Sequence, residues 1–302
     1  MLKTCTTSGS SHSFGSRNEC DRCWNCTIAK HEKPSSIPAA PTDAGGPNQA
    51  QQYYLDWTSV SLVGRRRQID CIQDAVARVS LPNADAEAIF VHGLSGTGKS
   101  ILVKTAASVK GSYFSVAGKF DQNSRVSCRP CSALADAANE LCCQVRQAPN
   151  DVSNRIIQSL QDDISTEEVD DLARIFPGMS RLSMQRQQES EYVVIGSTGS
   201  GLAEASLFRL LGTFRKFLAC VARHTPVIMF IDDLQWADEL SRQLLHSFFL
   251  DRSQSNVLFL GAVRDGAGTS FDFPRESTMK VVDLRCEALD LLDVQRIVAQ
   301  VT

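Results

Sequence analysis

The sequence predicts an α/β protein: a parallel sheet with helices on both faces, in three layers. Short apolar runs such as Ala88–His92 (AIFVH) and Val227–Ile231 (VIMFI) have the length and content of strands buried on both sides. Segments of helical spacing lie between such runs. A Gly-rich turn joins the first run directly to a helical segment. Strands that alternate with helices pair in parallel and need cover on both faces.

Composition bounds the rest. The 302 residues carry 31 basic and 34 acidic side chains, a formal net charge of −3. At roughly 150 residues per domain, one large or two small domains fit. Apolar residues make up 43% and charged residues 22%, enough to build a core. No chain-wide basic excess supports nucleic-acid binding. No apolar run approaches the roughly 18 residues of a membrane-spanning helix. Eleven cysteines in this length fall below the roughly 8–10% of a disulfide scaffold. Their odd number and the lack of a secretory signal favour a reducing, cytoplasmic compartment.

Residues 1–55 read as a disordered tail. Up to Ala50 the only Leu, Ile, Val or Phe residues are Leu2, Phe14, Ile28 and Ile37, among Pro, Ser, Thr and Gly. Such a segment cannot bury enough apolar surface to offset its ordering entropy. Met1–Asn18 has Lys3, Arg17 and no acids, which faintly resembles an organelle transit peptide; a polar tail is the plainer reading.

A core is expected over 56–287. After the strand at Ala88–His92 come a helix at Lys99–Val109, a strand at Tyr113–Ala117 and helices at Ser132–Arg146 and Thr166–Arg174. Pro177 stops the last of these. Gly178–Glu204, with Gly196–Gly201 (GSTGSG), reads as a long polar loop. Ser206–Arg223 is a helix with a stripe of Leu207, Leu211, Phe214, Phe217, Leu218 and Val221. Val227–Ile231 is a strand, and Asp238 caps a helix at Glu239–Phe249. Strands follow at Val257–Ala262 and Val281–Leu284. Residues 288–302 hold a last helix, Leu291–Val301, with apolar Val298 and Val301 unpartnered and no C-cap.

The decisive motif is Gly93-Leu94-Ser95-Gly96-Thr97-Gly98-Lys99-Ser100, a full match to GxxxxGK[ST]. The glycines let the backbone curl so that N–H groups point at phosphate oxygens. The helix that follows presents its positive end to the same anion. Lys99 is placed for the β- and γ-phosphates and Ser100 for Mg²⁺. These residues specify a P-loop NTPase with ATP and Mg²⁺ as its cofactors. The partner is Val227–Asp233, an apolar strand that delivers carboxylates to the edge where open α/β sheets bind ligands. Asp232 is expected to hold Mg²⁺ and Asp233 to orient water, one methylene shorter than the Glu found there in many ATPases.

Phe230–Asp238, containing Asp232-Asp233-Leu234-Gln235-Trp236-Ala237-Asp238, resembles the DDLQWAD signature of AAA-type (ASCE) ATPase modules of the origin-recognition-complex and STAND signalling group. Leu62-Val63-Gly64-Arg65 resembles the same group's box near the nucleotide base, with Gln68 where a Glu is usual. Gly118–Gln122 and Ala262-Val263-Arg264 are also similar. The resemblance covers roughly 58–302. It implies strand order 5-1-4-3-2, a helical lid that here is incomplete, and a base pocket that includes Gly64 and Arg65. It also implies Arg264 near the γ-phosphate, where a cation stabilises developing charge. Trp236 reads as a packing residue at a helix start.

Three other features offer less. Cys20, Cys23 and Cys26 have ligand spacing for zinc or an iron–sulfur cluster, yet a fourth ligand would have to be His31 or His12. Cys128 and Cys131 lie in a Pro-containing turn, and Cys142 and Cys143 read as packed within their helix. Arg65-Arg66-Arg67 reads as a solvated or base-pocket rim.

Three functions fit these residues. The first is an ATP-binding, slowly hydrolysing regulatory or signalling switch, acting with other protein domains or protomers. The second is a DNA-associated initiator, which would need a winged-helix domain. The third is a nucleotide-binding scaffold without hydrolysis. Neither membrane nor nucleic acid is expected as a partner.

Overall fold

A computed structural model of the chain describes residues 62–108, 111–122, 130–182, 200–266, 271, 273–274, 276–277 and 279–301. The chain divides into two compact units, Met1–Gln49 and Ala50–Thr302, and all described residues lie in the second. The expected tail, with Cys20, Cys23 and Cys26, lies outside the described residues, as does Cys128.

Five strands form one all-parallel sheet: β1 (Glu87–Gly93), β2 (Phe114–Lys119), β3 (Val227–Asp232), β4 (Val257–Arg264) and β5 (Lys280–Arg285). Their order is β2-β3-β4-β1-β5, the order the family resemblance implied. Every residue of β3 is buried, and β4 is buried up to its last residue, Arg264. That is why both read as unbroken apolar runs. β5 is an edge strand, half-exposed, with Lys280, Asp283 and Arg285 alternating with apolar residues. Charges on an edge discourage pairing with another chain.

Helices α1 (Arg66–Val79) and α2 (Lys99–Ala107) pack on each other and on β1 and β4. The other face carries α3 (Ser132–Gln147), α4 (Asn150–Asp163), α5 (Thr166–Ala173), α6 (Ser200–Ala222) and α7 (Glu239–Phe249). α8 (Leu291–Val301) follows β5, with Leu291, Leu292, Val294 and Val298 exposed. Phe90 lies among Phe249, Phe259, Phe271 and Phe273, with ring centroids 5.6–6.0 Å away. Edge and tilted contacts of this kind suit the aromatic quadrupole.

Several boundaries differ from those read in the sequence. α2 stops at Ala107, and β2 runs Phe114–Lys119. The long polar loop expected over 178–204 is taken up at both ends, because a 3₁₀ turn covers Pro177–Arg181 and α6 begins at Ser200, while 183–199 lie outside the described residues. α6 therefore takes in the last two residues of the GSTGSG stretch, where Leu202 and Ala203 favour helix. Cys142 is buried, but Cys143 is only half-buried.

Two helices were not read at all. α1 begins at Arg66, its N-cap Arg65 forms no side-chain cap, and it buries Ile72, Ala75, Val76 and Val79. α4 starts after Pro149 and buries only Ser153, Ile156 and Leu160. Neither start carries a Ser, Thr, Asp or Asn cap, so the start signal is missing although apolar residues recur at helical spacing.

At the opposite end of the sheet from the glycine-rich turn, Glu87 receives Arg78 Nε and a second guanidinium nitrogen at 2.7 Å each, with Lys280 at 3.4 Å. Burial alone would raise the Glu87 carboxyl, but the Arg78 hydrogen bonds and charge, joined by Lys280, hold it below its ordinary value of 4.5. A lowered folded pKa means that this stability is present above the ordinary value and is lost as pH falls through the folded one. Urea midpoints at neutral pH and below pH 4.5 should therefore fall more in the parent than in Glu87→Gln. Equal losses in both would show that the triad carries no acid sensitivity.

Candidate nucleotide site at the β1–α2 turn

The site is built where β1, β3 and β4 end side by side. β1 passes into the loop Gly93–Ser100, and Gly93 pairs in register with Arg264 at the tip of β4. Gly96 (φ +80°) and Gly98 (φ +88°) take left-handed conformations that only glycine adopts without strain. Gly98 is also the N-cap of α2 and leaves the helix start without a side-chain cap. Unsatisfied N–H donors at such a start favour an anion.

Lys99 is 7% exposed, and its Nζ donates to Gly93 O and Leu94 O, each at 2.8 Å. The buried cation is thus held by the loop it would share with a phosphate. Thr97 Oγ1 donates to Leu94 O at 2.9 Å, which tightens the same turn. Ser95 and Leu94 are exposed at the loop's outer rim.

Ser100 Oγ donates to Asp232 Oδ2 at 2.6 Å. Residues far apart in sequence meet here because β3 ends next but one to β1 in the sheet. Asp232 is 7% exposed, and its Oδ1 accepts the backbone N–H of Asp233 at 3.0 Å. A hydroxyl and a carboxylate side by side form a hard oxygen donor set.

Asp233 sits in a left-handed conformation (φ +56°) at the start of a 3₁₀ turn, Leu234–Trp236. Its Oδ1 accepts from Gln235 Nε2 at 2.9 Å, and Lys119 Nζ at the end of β2 lies 3.3 Å from its Oδ2. Burial works against the Lys119 charge, but Asp233, with Asp232 and Asp121, outweighs it and raises the Lys119 pKa. Gln235 is 2% exposed, and its Oε1 accepts the backbone N–H of Arg264 at 3.0 Å. Arg264 itself is exposed at the strand tip.

The remaining residues of the signature are structural. Asp238 Oδ1 accepts Ser241 N at 2.9 Å as the N-cap of α7, while its Oδ2 accepts Ser241 Oγ at 2.7 Å and Cys131 N at 3.0 Å. Trp236 packs half-buried against the core.

The segment before α1 closes the other side. Arg65 is 5% exposed, and one of its terminal nitrogens donates to Thr97 O at 3.3 Å and to Glu287 O. The Cys286 thiol donates to the same Thr97 carbonyl at 3.2 Å. Gly64 (φ +73°) lies against the Asp293 carboxylate of α8, so a side chain there would collide with it. Gln68 Nε2 donates to Arg285 O at 3.2 Å, so it ties α1 to β5.

Of the residues nominated from sequence, Gly93–Ser100, Asp232, Asp233, Arg264, Gly64 and Arg65 gather around this turn. Lys119 and Gln235 were quoted only as parts of motifs, and Cys286 was not singled out. A separate cavity of about 750 Å³, whose lining includes His92, His246, Asp265, Asp283 and Arg285, contains none of the nominated residues. Among the described residues no group of three or more His, Cys, Asp and Glu could hold a metal, and no helix is long and apolar enough to cross a membrane.

An all-parallel sheet in this order, with a glycine-rich turn at β1 and an acid at the end of β3, defines a P-loop ATPase fold of the AAA type. The model of the AAA ATPase domain family matches residues 61–260, and the chain belongs to that family. No curated protein matches the sequence. Among solved structures, the chain is similar to a signal transduction ATPase with numerous domains (STAND) that has a tetratricopeptide repeat sensor, from Pyrococcus horikoshii. Identity there is 14% and the TM-score 0.36, over 80% of this chain and 25% of that one. It is also similar to Drosophila ORC bound to DNA, with 12% identity and a TM-score of 0.39, over 78% of this chain and 46% of that one. The chain thus spans a quarter of the first and less than half of the second.

Proposed function

We propose that the protein binds ATP with Mg²⁺ at the β1–α2 turn, hydrolyses it slowly, and acts as a nucleotide-dependent regulatory or signalling switch. The observation that carries this reading is the Ser100 Oγ to Asp232 Oδ2 contact of 2.6 Å beside Lys99 buried to 7%. A lysine cation, a hydroxyl and a carboxylate are there brought to one uncapped helix start. That donor set fits a polyphosphate and a hard divalent cation.

In this reading the loop amides and Lys99 Nζ hold the β- and γ-phosphates, and Ser100 Oγ and Asp232 hold Mg²⁺. Bound Mg²⁺ supplies neutralisation of charge on the phosphate oxygens. Gly64 and Arg65 shape the rim on the base side. Asp233 orients the attacking water and takes its proton at Oδ2, and Arg264 offers a cation to the γ-phosphate. Lys119 competes for the same Oδ2, which supports slow turnover. Core and lid divide at about residue 287, and other domains or protomers receive the change of state.

A non-hydrolysing scaffold is the second reading, favoured by the Lys119–Asp233 ion pair. Phosphate release at saturating ATP, with and without Mg²⁺, separates the two. Metal-dependent release at a slow but steady rate is expected. ATP binding without any release would favour the scaffold, and no binding would overturn both.

A further inference from the structure

Gln235 is 2% exposed, and its carboxamide bridges two tips of the sheet. Its Oε1 accepts the Arg264 N–H at 3.0 Å, and its Nε2 donates to Asp233 Oδ1 at 2.9 Å. The β3–β4 ladder has already ended, since the last paired residues are Ile231 and Gly261. Beyond that point the Gln235 side chain acts as a peptide group would, with an acceptor towards β4 and a donor towards the turn after β3. Only Asn and Gln carry a donor and an acceptor in one planar amide, the group a peptide itself presents, and Asn is one methylene too short for the same span.

Burying a carboxamide is costly unless both its ends are satisfied. A leucine or methionine would fill the space without that cost. Here both ends are used, and both lead to groups at the mouth of the nucleotide site. The bond to Nε2 fixes one carboxylate oxygen of Asp233 and leaves Oδ2 directed at Lys119 Nζ. The bond to Oε1 fixes the backbone that carries the Arg264 side chain.

We propose that Gln235 is a positioning residue for hydrolysis: it locks the Asp233 carboxylate to the tip of β4, so that the water-orienting acid and the backbone from which the Arg264 cation extends hold one fixed separation. This rests on the hydrolytic reading above. Neither group needs to move relative to the other, and preorganisation of this kind affects the transition state more than ground-state binding.

The test uses the full chain with ADP, ADP plus fluoroaluminate as a mimic of the transferring phosphoryl group, and ATP. Two variants separate the two bonds. Gln235→Met keeps the length and removes both hydrogen bonds. Gln235→Glu keeps the acceptor for Arg264 N–H but loses the donor and faces Asp233 with a like charge. In the parent, fluoroaluminate should tighten ADP binding. In both variants ADP affinity should stay within about threefold, while the gain from fluoroaluminate and kcat each fall by about tenfold or more and KM barely moves. Melting temperatures recorded alongside identify any loss of fold. A role confined to packing the turn on β4 predicts rescue by Gln235→Glu, and that rescue would overturn the proposal. Unchanged fluoroaluminate gain in Gln235→Met would overturn it too. A parent that gains nothing from fluoroaluminate overturns the hydrolytic reading itself, and the inference with it.

Discussion

Lys99→Ala is expected to lower ATP affinity by at least about 100-fold while leaving the fold in place. A lysine between two phosphates makes charge-assisted hydrogen bonds worth about 1.5–3 kcal/mol each. About 1.4 kcal/mol is a factor of ten, so two such bonds set the lower bound. The fold should tolerate the change because the carbonyls that Lys99 serves have other donors. Gly93 O also accepts Asp265 N at 3.1 Å, and Leu94 O also accepts Thr97 Oγ1 at 2.9 Å. A melting-temperature drop of under about 5 °C is expected, at about 2–4 °C per kcal/mol lost for a domain of this size. Titration calorimetry with ATP and a thermal melt of the same variant check both halves. Wild-type affinity in Lys99→Ala would remove the basis for the nucleotide site.

Gly118→Ala is expected to be the most damaging small substitution in the described core. A Cβ there would run into the backbone of Ala133, where the carbonyl oxygen, the carbonyl carbon at 2.6 Å and Cα at 3.0 Å stand in its way. A flexible side chain could turn aside, but a helix backbone cannot. β2 and α3 would have to separate along their whole contact. Overpacking costs about 1–3 kcal/mol, and an unyielding neighbour puts this site at the upper end. Gly212→Ala is the control. It sits in α6 with nothing within 4 Å of the added Cβ, so it should be neutral or stabilising. Urea denaturation of the two variants gives the comparison, and equal midpoints would show that β2 can shift without cost. Because Lys119 follows Gly118, surviving Gly118→Ala protein should also hold Asp233 less well.

The fold was legible largely because its central strands are buried on both faces. Runs such as Val227–Ile231 cannot be amphipathic, and they are short and bounded by turn residues. The nucleotide loop was legible for a different reason: its geometry needs glycines, a lysine and a hydroxyl in one contiguous string. α1 and α4 were overlooked although their apolar residues recur at helical spacing, because their caps, Arg65 and Pro149, give no start signal. Gln235 stood in plain view within a quoted motif, yet its role depends on where β4 ends, which no local pattern encodes. The same holds for Lys119, which meets Asp233 only because β2 and β3 are neighbours.

The Thr97 carbonyl, which receives both Arg65 and Cys286, also sets a timetable. Its partners lie 32 residues before it and 189 residues after it. A ribosome adding about 5–20 residues per second exposes the glycine-rich turn roughly 10–40 s before Cys286 emerges. During that interval the turn has its own chain but not its outer clasp, and the long-range closure must wait for β5 to dock. The Cys286 contact on the turn therefore cannot form until β5 has been synthesised.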